Sequence, residues 1–395
     1  MKYAQRLDLL TKETAFAVTA VVNKLKAEGK DIVTFTVGEP NFDTPVNIKK
    51  AGIKAIEENK THYTSSNGIK ELREVVAGYI AKTRNIPVQP DEIVITPGGK
   101  PIIFYSILAS INEGDEVLFP NPGYPAYESA AKFAGAKCIP LPLWEEKNFS
   151  FDTSMLKSLI TPKTKMIVLN SPHNPTGGML EKKDLEEIAK LAIENDLLIL
   201  SDEVYSKMVY EGEFISISSL PGMKERTIIL ESFSKTYAMT GWRLGYGVMN
   251  KELADYVNLL SMTNHSCTAA FTQYAGVEAL TGPQDEVYNM MATFKERRDI
   301  MVKGLNDIKG IKCHSPRSTF YVYPNVTEVC ENLGFKNSKE LQEYLLHEGG
   351  VAVLPRTCFG SKNVGENEEY IRLSYATSTE LIIEGLKRMK KAIEK

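Results

Sequence analysis

Little in this chain points to a scaffold stapled by disulfides, to a nucleic-acid binder or to a membrane protein. The cysteines, Cys138, Cys267, Cys313, Cys330 and Cys358, are odd in number and scattered, and none falls in a CxxC pair or at zinc-ligand spacing with a histidine. This usage excludes a disulfide framework, gives no metal site, and suits a reducing cytoplasm. Lys and Arg number 47 against 50 Asp and Glu, a formal net charge of -3, so neither a basic surface for nucleic acid nor an acidic tail is indicated. No apolar run approaches the ~18 residues of a membrane span, and "MKYAQRLDLLTKETAF" has no signal-peptide core. The expectation is a cytoplasmic protein, off the membrane, whose partners are small molecules or a copy of itself.

What is present is a regular alternation of helix-period and strand-like stretches. With 43% hydrophobic residues, 395 positions can bury a large core, in two or three domains by length. The runs "MIVLN", "LLILSD" and "TIILES" are apolar without alternation, as in strands covered on both faces by helices. Between them lie helical stretches such as "GIKELREVVAGYIAKTR" and "KKDLEEIAKLAIEND". This order predicts a doubly wound α/β domain, which binds ligands outside the carboxyl ends of its strands. The last third reads strand, helix, strand, strand, helix, and with the N-terminal stretch predicts a smaller α+β domain. The expected division is an N-terminal segment 1–45 packing with the small domain, a large domain 46–283 and a small domain 284–395.

Almost every apolar run ends in a polar signature. "VITPGGKP" closes a strand with Gly98 and Gly99 and opens a helix, offering backbone N–H groups to an anion; alone, it is an ordinary turn. "LLILSDEVY" leaves Asp202 at the mouth of a buried strand, where a carboxylate is costly unless a cation or donor meets it, and where it could also cap a helix. Asn174 follows another buried strand in the rigid loop "NSPHNPTGG". Lys235, in "TIILESFSK", stands where partial desolvation lowers an amine's pKa and makes it a nucleophile toward carbonyls. Ser232, Ser234 and Arg243 around it are the donors a phosphate ester needs. An aldehyde for Lys235, a phosphate for Ser232, Arg243 and the glycine turn, and a pyridine nitrogen for Asp202 together describe pyridoxal 5′-phosphate.

With these motifs in place the chain resembles the fold-type I pyridoxal-phosphate enzymes, and among them the class I/II aminotransferases of the branch containing bacterial aspartate aminotransferases. "VGEPNFDTP", "HYTSSNGIKELR", "TPGGKP", "NPGYPAY", "NSPHNPTGG", "SDEVY", "SFSKTYAMTGWRLGY" and "YIRLSYA" occur in family order, nearly end to end. The resemblance implies a large domain with a mostly parallel seven-stranded sheet sandwiched by helices, plus the smaller α+β domain. It implies that Lys235 holds the cofactor's aldehyde and shuttles the proton at the substrate's Cα, that Asp202 holds the ring nitrogen, and that Tyr205 and Asn174 bond the phenolic oxygen. Tyr124 would stack on the ring, and Gly99, the Lys100 backbone, Ser232, Ser234 and Arg243 would hold the phosphate. Tyr63 would arrive from the other subunit of a homodimer. Arg372 would clamp the substrate's α-carboxylate, with Gly38 adding a backbone contact.

The same resemblance gives L-aspartate with 2-oxoglutarate as the first expectation, by a ping-pong reaction, because Lys100 stands where the branch binds a distal carboxylate. Glu13 departs from that pattern, since a carboxylate near Lys100 would compete with an acidic substrate. Alanine, aromatic amino acids or glutamine remain alternative donors. A pyridoxal-phosphate carbon–sulfur β-lyase is a rival from another enzyme class, and a non-catalytic sensory module a second, weighed down by the absence of a basic DNA-binding segment.

Overall fold

The structure, a computed structural model, describes residues 3–10 and 14–395. A short strand β1 (Val33–Thr34) precedes the main sheet, which is built from β2 (Ile93–Thr96), β3 (Glu116–Asn121), β4 (Lys137–Trp144), β5 (Ser150–Phe151), β6 (Thr164–Asn170), β7 (Leu198–Asp202), β8 (Thr227–Ser232) and β9 (Gly245–Val248). Their order across the sheet is β2-β9-β8-β7-β6-β3-β4-β5. The expected seven strands are present and mostly parallel; β9 runs antiparallel between β2 and β8. An eighth strand, β5, folds back on the edge of β4. It is two residues long, too short to leave a hydrophobic period in the sequence.

The unalternating apolar runs have the predicted cause, since both faces of the sheet are covered. Ile228 and Leu230 enter the core on one face, with Ile102, Ile103 and Val257. Ile229, between them, enters the other with Leu72, Val76 and Ile80 of the helix Lys70–Arg84. Each such fully buried aliphatic side chain contributes about 1.5–3 kcal/mol. The period of two therefore assigns neighbouring residues at a strand end to opposite sides of the sheet.

The rest of the chain forms β10 (Tyr321–Val322), β11 (Val351–Ala352), β12 (Leu354–Pro355) and β13 (Ile371–Ser374) with their helices. β13 lies between β10 and β12, antiparallel to both. The N-terminal segment joins this region: β1 pairs with β11, and the Phe35 carbonyl accepts the Ser374 N–H at 2.8 Å. Arg372 is thus on a central strand rather than an edge. Among the described residues no helix is long and apolar enough to cross a membrane.

Candidate active site

β6, β7 and β8 are adjacent and parallel, so Asn170, Asp202 and Ser232 end side by side at one edge of the sheet. Facing these ends is a cavity of about 550 Å³, bounded on its far side by Thr36, Tyr321, Phe359 and Arg372. Gly38, Gly99, Lys100, Tyr124, Asn174, Asp202, Tyr205, Ser232, Ser234, Lys235, Arg243 and Arg372 all line it. Of the other described site candidates named from sequence, Gly98 lies next to the lining residue Gly99, and Tyr63 is 89% exposed, outside the cavity. Glu13 lies outside the described residues, while its neighbours Ala15, Phe16 and Thr19 reach the cavity.

Lys235 sits in a short helix, Phe233–Thr236, that starts where β8 ends, rather than on the strand itself. The Ser232 hydroxyl caps this turn, accepting the Ser234 N–H at 3.2 Å. The Lys235 ammonium donates to the Gly38 carbonyl. Burial, reinforced by Arg372 and Arg243 and opposed by Glu39 and Asp202, pulls the lysine down to about 8. A partly neutral amine therefore exists near neutral pH, which an exposed lysine would not provide.

Asp202 is buried, and burial pushes its carboxyl up to about 6, against the Tyr127 hydrogen bond that holds it down. Tyr127 donates to one oxygen at 2.6 Å and the Val204 N–H to the other at 3.3 Å. No helix follows, so the cap reading of Asp202 fails. The Tyr205 hydroxyl meets that of Tyr321 at 3.0 Å, and burial raises its pKa well above the ordinary value.

On the other side of Lys235, Gly98 adopts φ +95, and a Cβ there would meet the Arg243 guanidinium at 2.3 Å. Only glycine fits so close an approach in that conformation. Arg243, held by the carbonyls of Thr240 at 2.8 Å and Pro97 at 3.3 Å, lines the cavity together with the start of the helix Lys100–Ser110 and the Ser232 and Ser234 hydroxyls, which bond each other at 2.9 Å. Guanidinium, hydroxyls and helix N-terminus are the kinds of donor that suit a phosphate dianion.

Arg372 is buried, stacked 4.3 Å over the Tyr321 ring and 5.0 Å over Phe359. It donates to the Asn174 amide oxygen at 3.1 Å and the Thr36 carbonyl at 2.7 Å, and its Nε has no hydrogen-bond partner among the described residues. No carboxylate pairs with it in the described chain. Because the Asn174 oxygen accepts from Arg372, its amide NH2 is the end suited to donate to a ligand oxygen. Gly38 packs against the same ring; a Cβ there would meet the Tyr321 hydroxyl at 2.5 Å.

Sequence reasoning missed Tyr127, Tyr321, Phe359, Thr36 and Asn170, all of which line the cavity. Tyr127 stands in "NPGYPAY", one helical turn from Tyr124, and Asn170 ends a strand at the register position opposite Asp202. Nothing local marked Tyr321 or Phe359, which arrive from the far end of the chain.

The residues fit pyridoxal phosphate on this structure's own terms. A buried carboxylate short of a cation, a lowered lysine and an anion cup without a side chain at Gly98 stand around one cavity. The family model described as "Aminotransferase class I and II" matches residues 30–389. Among curated relatives, "Probable aspartate/prephenate aminotransferase" of Aquifex aeolicus is 39% identical over 99% of this chain and 98% of its own. "Aspartate aminotransferase" of Bacillus subtilis is 36% identical over the whole of both chains, 100% of each. Among solved structures, the aspartate aminotransferase of Thermus thermophilus with maleate superposes with a TM-score of 0.93 at 34% identity, covering 99% of this chain and 100% of that one.

Proposed function

The chain belongs to the class I and II aminotransferases, which depend on pyridoxal phosphate, and we propose that its preferred reaction moves the amino group of L-aspartate to 2-oxoglutarate. The observation that carries this is the cavity itself, with Lys235 and Asp202 at one wall and Arg372, short of a carboxylate, at the other. When bound, the cofactor supplies an aldehyde for amino groups and a ring that takes up negative charge from the substrate's Cα.

In this reading the Lys235 amine, kept near pKa 8 by burial, anchors the cofactor and then moves the proton at Cα. Asp202 would keep the ring nitrogen protonated, Tyr205 and Asn174 would hold the phenolic oxygen, and Tyr124 would pack on the ring. Gly99, the Lys100 backbone, Ser232, Ser234 and Arg243 would hold the phosphate. Arg372 orients the α-carboxylate, its planar fork matching that anion, with Gly38 closing from the N-terminal segment. The reaction proceeds ping-pong, one half with the amino donor and one with the 2-oxo acceptor.

For the donor, Lys100 at the cavity wall supports a distal carboxylate, as do the names of the relatives and the maleate bound to the Thermus neighbour, a dicarboxylate. Phe16, Ile103 and Phe359, which also line the cavity, would instead accommodate a neutral side chain. We further propose the division at 45/46 and 283/284, a cytoplasmic setting, and a homodimer in which exposed Tyr63 completes the partner's phosphate cup.

Mixing the loaded protein separately with aspartate, alanine, phenylalanine and glutamine, without acceptor, tests the donor. Rapid bleaching of the cofactor's visible absorbance by aspartate is expected. Conversion by a neutral amino acid in its place would overturn the aspartate reading. An S-alkylcysteine added as a fifth donor tests the rival: its breakdown without acceptor to thiol, pyruvate and ammonia, by loss of the thiolate from Cβ and hydrolysis of the resulting enamine, would replace transfer by β-elimination.

A further inference from the structure

Directly behind the site, on the opposite face of the sheet, lies a buried charged cluster that the proposed chemistry does not use. Arg84, the last residue of the helix Lys70–Arg84, donates from Nε to Glu203 at 2.7 Å and from its second terminal nitrogen to Glu231 at 2.5 Å. All three side chains are at least nine-tenths buried. Glu203 is also bonded by Ser201 at 2.9 Å and Ser216 at 2.5 Å, and Glu231 by Ser206 at 2.6 Å. Phe214 covers the guanidinium at 4.8 Å.

Each anchor of this cluster is the chain neighbour of a cavity residue. Glu203 follows Asp202, Glu231 precedes Ser232, and Ser206 follows Tyr205. Alternation along the strands puts Leu230 and Ser232 on the cavity wall with Glu231 between them on the other face. Asp202 and Glu203 are divided the same way, one bonded to Tyr127 and the other to Arg84. One rigid fork therefore links β7 and β8 from behind, at the residues next to the ring-nitrogen acceptor and the phosphate donor. A lysine, as a point charge, could satisfy either carboxylate but could not fix the distance between them.

We infer that Arg84, through Glu203 and Glu231, is a positioning residue that sets the spacing between Asp202 and Ser232, so that ring nitrogen and phosphate of one cofactor engage together. This rests on the cofactor reading given above. Spacing matters only for a ligand that uses both ends. Pyridoxal phosphate spans both; pyridoxal, which lacks the phosphate, uses only the Asp202 and Lys235 end.

The test titrates cofactor-free wild type, Arg84→Lys and Glu231→Gln with pyridoxal phosphate and with pyridoxal, alongside thermal melts. Wild type is expected to prefer the phosphorylated form strongly. Arg84→Lys is expected to bind pyridoxal phosphate about tenfold more weakly with pyridoxal binding changed by less than about twofold. Glu231→Gln, which keeps the side chain's shape, should lose part of the same preference and serves if Arg84→Lys does not fold. A preference unchanged in the folded variants, or affinities for both ligands falling in parallel with melting temperature, would overturn the clamp while leaving the site assignment intact. A wild type with no preference for the phosphorylated form would overturn the phosphate cup and the clamp with it.

Discussion

Arg356 and Arg372 are both buried on the C-terminal side of the cavity, yet their surroundings differ in kind. Arg356 makes a two-point contact with Glu366, at 2.6 Å from Nε and 2.9 Å from a terminal nitrogen, and donates further to the Asn121 amide at 3.1 Å and the Gly360 carbonyl at 2.9 Å. Arg372 has one carbonyl, one amide oxygen and two aromatic faces, with its Nε left over. A guanidinium whose charge is met inside the chain holds the chain together. One whose charge is met only by dipoles keeps its strongest interaction for an outside carboxylate. The same contrast divides the cluster of Arg84, Glu203 and Glu231 from Lys235 and Asp202 on the cavity wall: burial displaces Glu231, Lys235 and Asp202 alike toward the neutral form, but only Glu231 has a buried guanidinium bonded to it.

The largest effect should come from the cavity side. Lys235→Ala is expected to lose the covalently held cofactor and nearly all turnover, while melting no lower than the cofactor-free wild type, because relief of the buried charge offsets the one hydrogen bond lost, to the half-buried Gly38 carbonyl, which water in the cavity can meet. A variant that keeps the cofactor's absorbance and a normal rate would break the contrast. Asp202→Asn comes next. It should fold and still bind the cofactor more weakly, with kcat reduced by orders of magnitude, since an amide cannot hold a ring-nitrogen proton as an anion does. Wild-type kcat in that variant would contradict its role.

On the saturated side, Arg356→Met should cost about 3–5 kcal/mol of stability by leaving Glu366 buried and unpaired, read as a loss in a denaturant melt. Full stability would show that its contacts are incidental. The smallest effect is a pH dependence. Lys235 titrates at about 8 in the folded chain against 10.5 when exposed, so the folded chain binds fewer protons than the unfolded one between these values. The burial penalty is complete below about pH 8 and fades as pH rises toward 10.5. Asp202, at about 6 against 3.8, works in the other direction, its penalty absent below 3.8 and complete above 6. Incorporation of pyridoxal phosphate by the cofactor-free chain should accordingly speed up about tenfold per pH unit below 8 and level off above it. A rate flat through this window would place the lysine in a different environment.

These features were unequally legible in the sequence. Asp202, Ser232 and Lys235 stand at the ends of apolar runs, and a polar group that interrupts burial announces itself locally. The mostly parallel sheet followed from runs covered on both faces. The antiparallel placement of β9 between β2 and β8, and the two-residue β5, depend on pairings between distant segments and leave no local period. Arg84 reads in its helix as one more basic residue near a C-terminus, and only the meeting of that helix with the backs of β7 and β8 makes it a buried ion. Tyr321, Phe359 and Arg356 were hidden for the same reason, since their function is set by what the far end of the chain brings against them.

The contrast between the two arginines is tested most directly by measuring Arg372→Met and Arg356→Met side by side, each for thermal stability and for KM toward both the amino and the 2-oxo acid. Arg372→Met is expected to keep its stability and lose substrate binding worth about 2–4 kcal/mol, seen as a higher KM for both acids, whereas Arg356→Met loses stability first. An Arg372→Met variant with unchanged KM, or one that is destabilised as much as Arg356→Met, would contradict this division of roles.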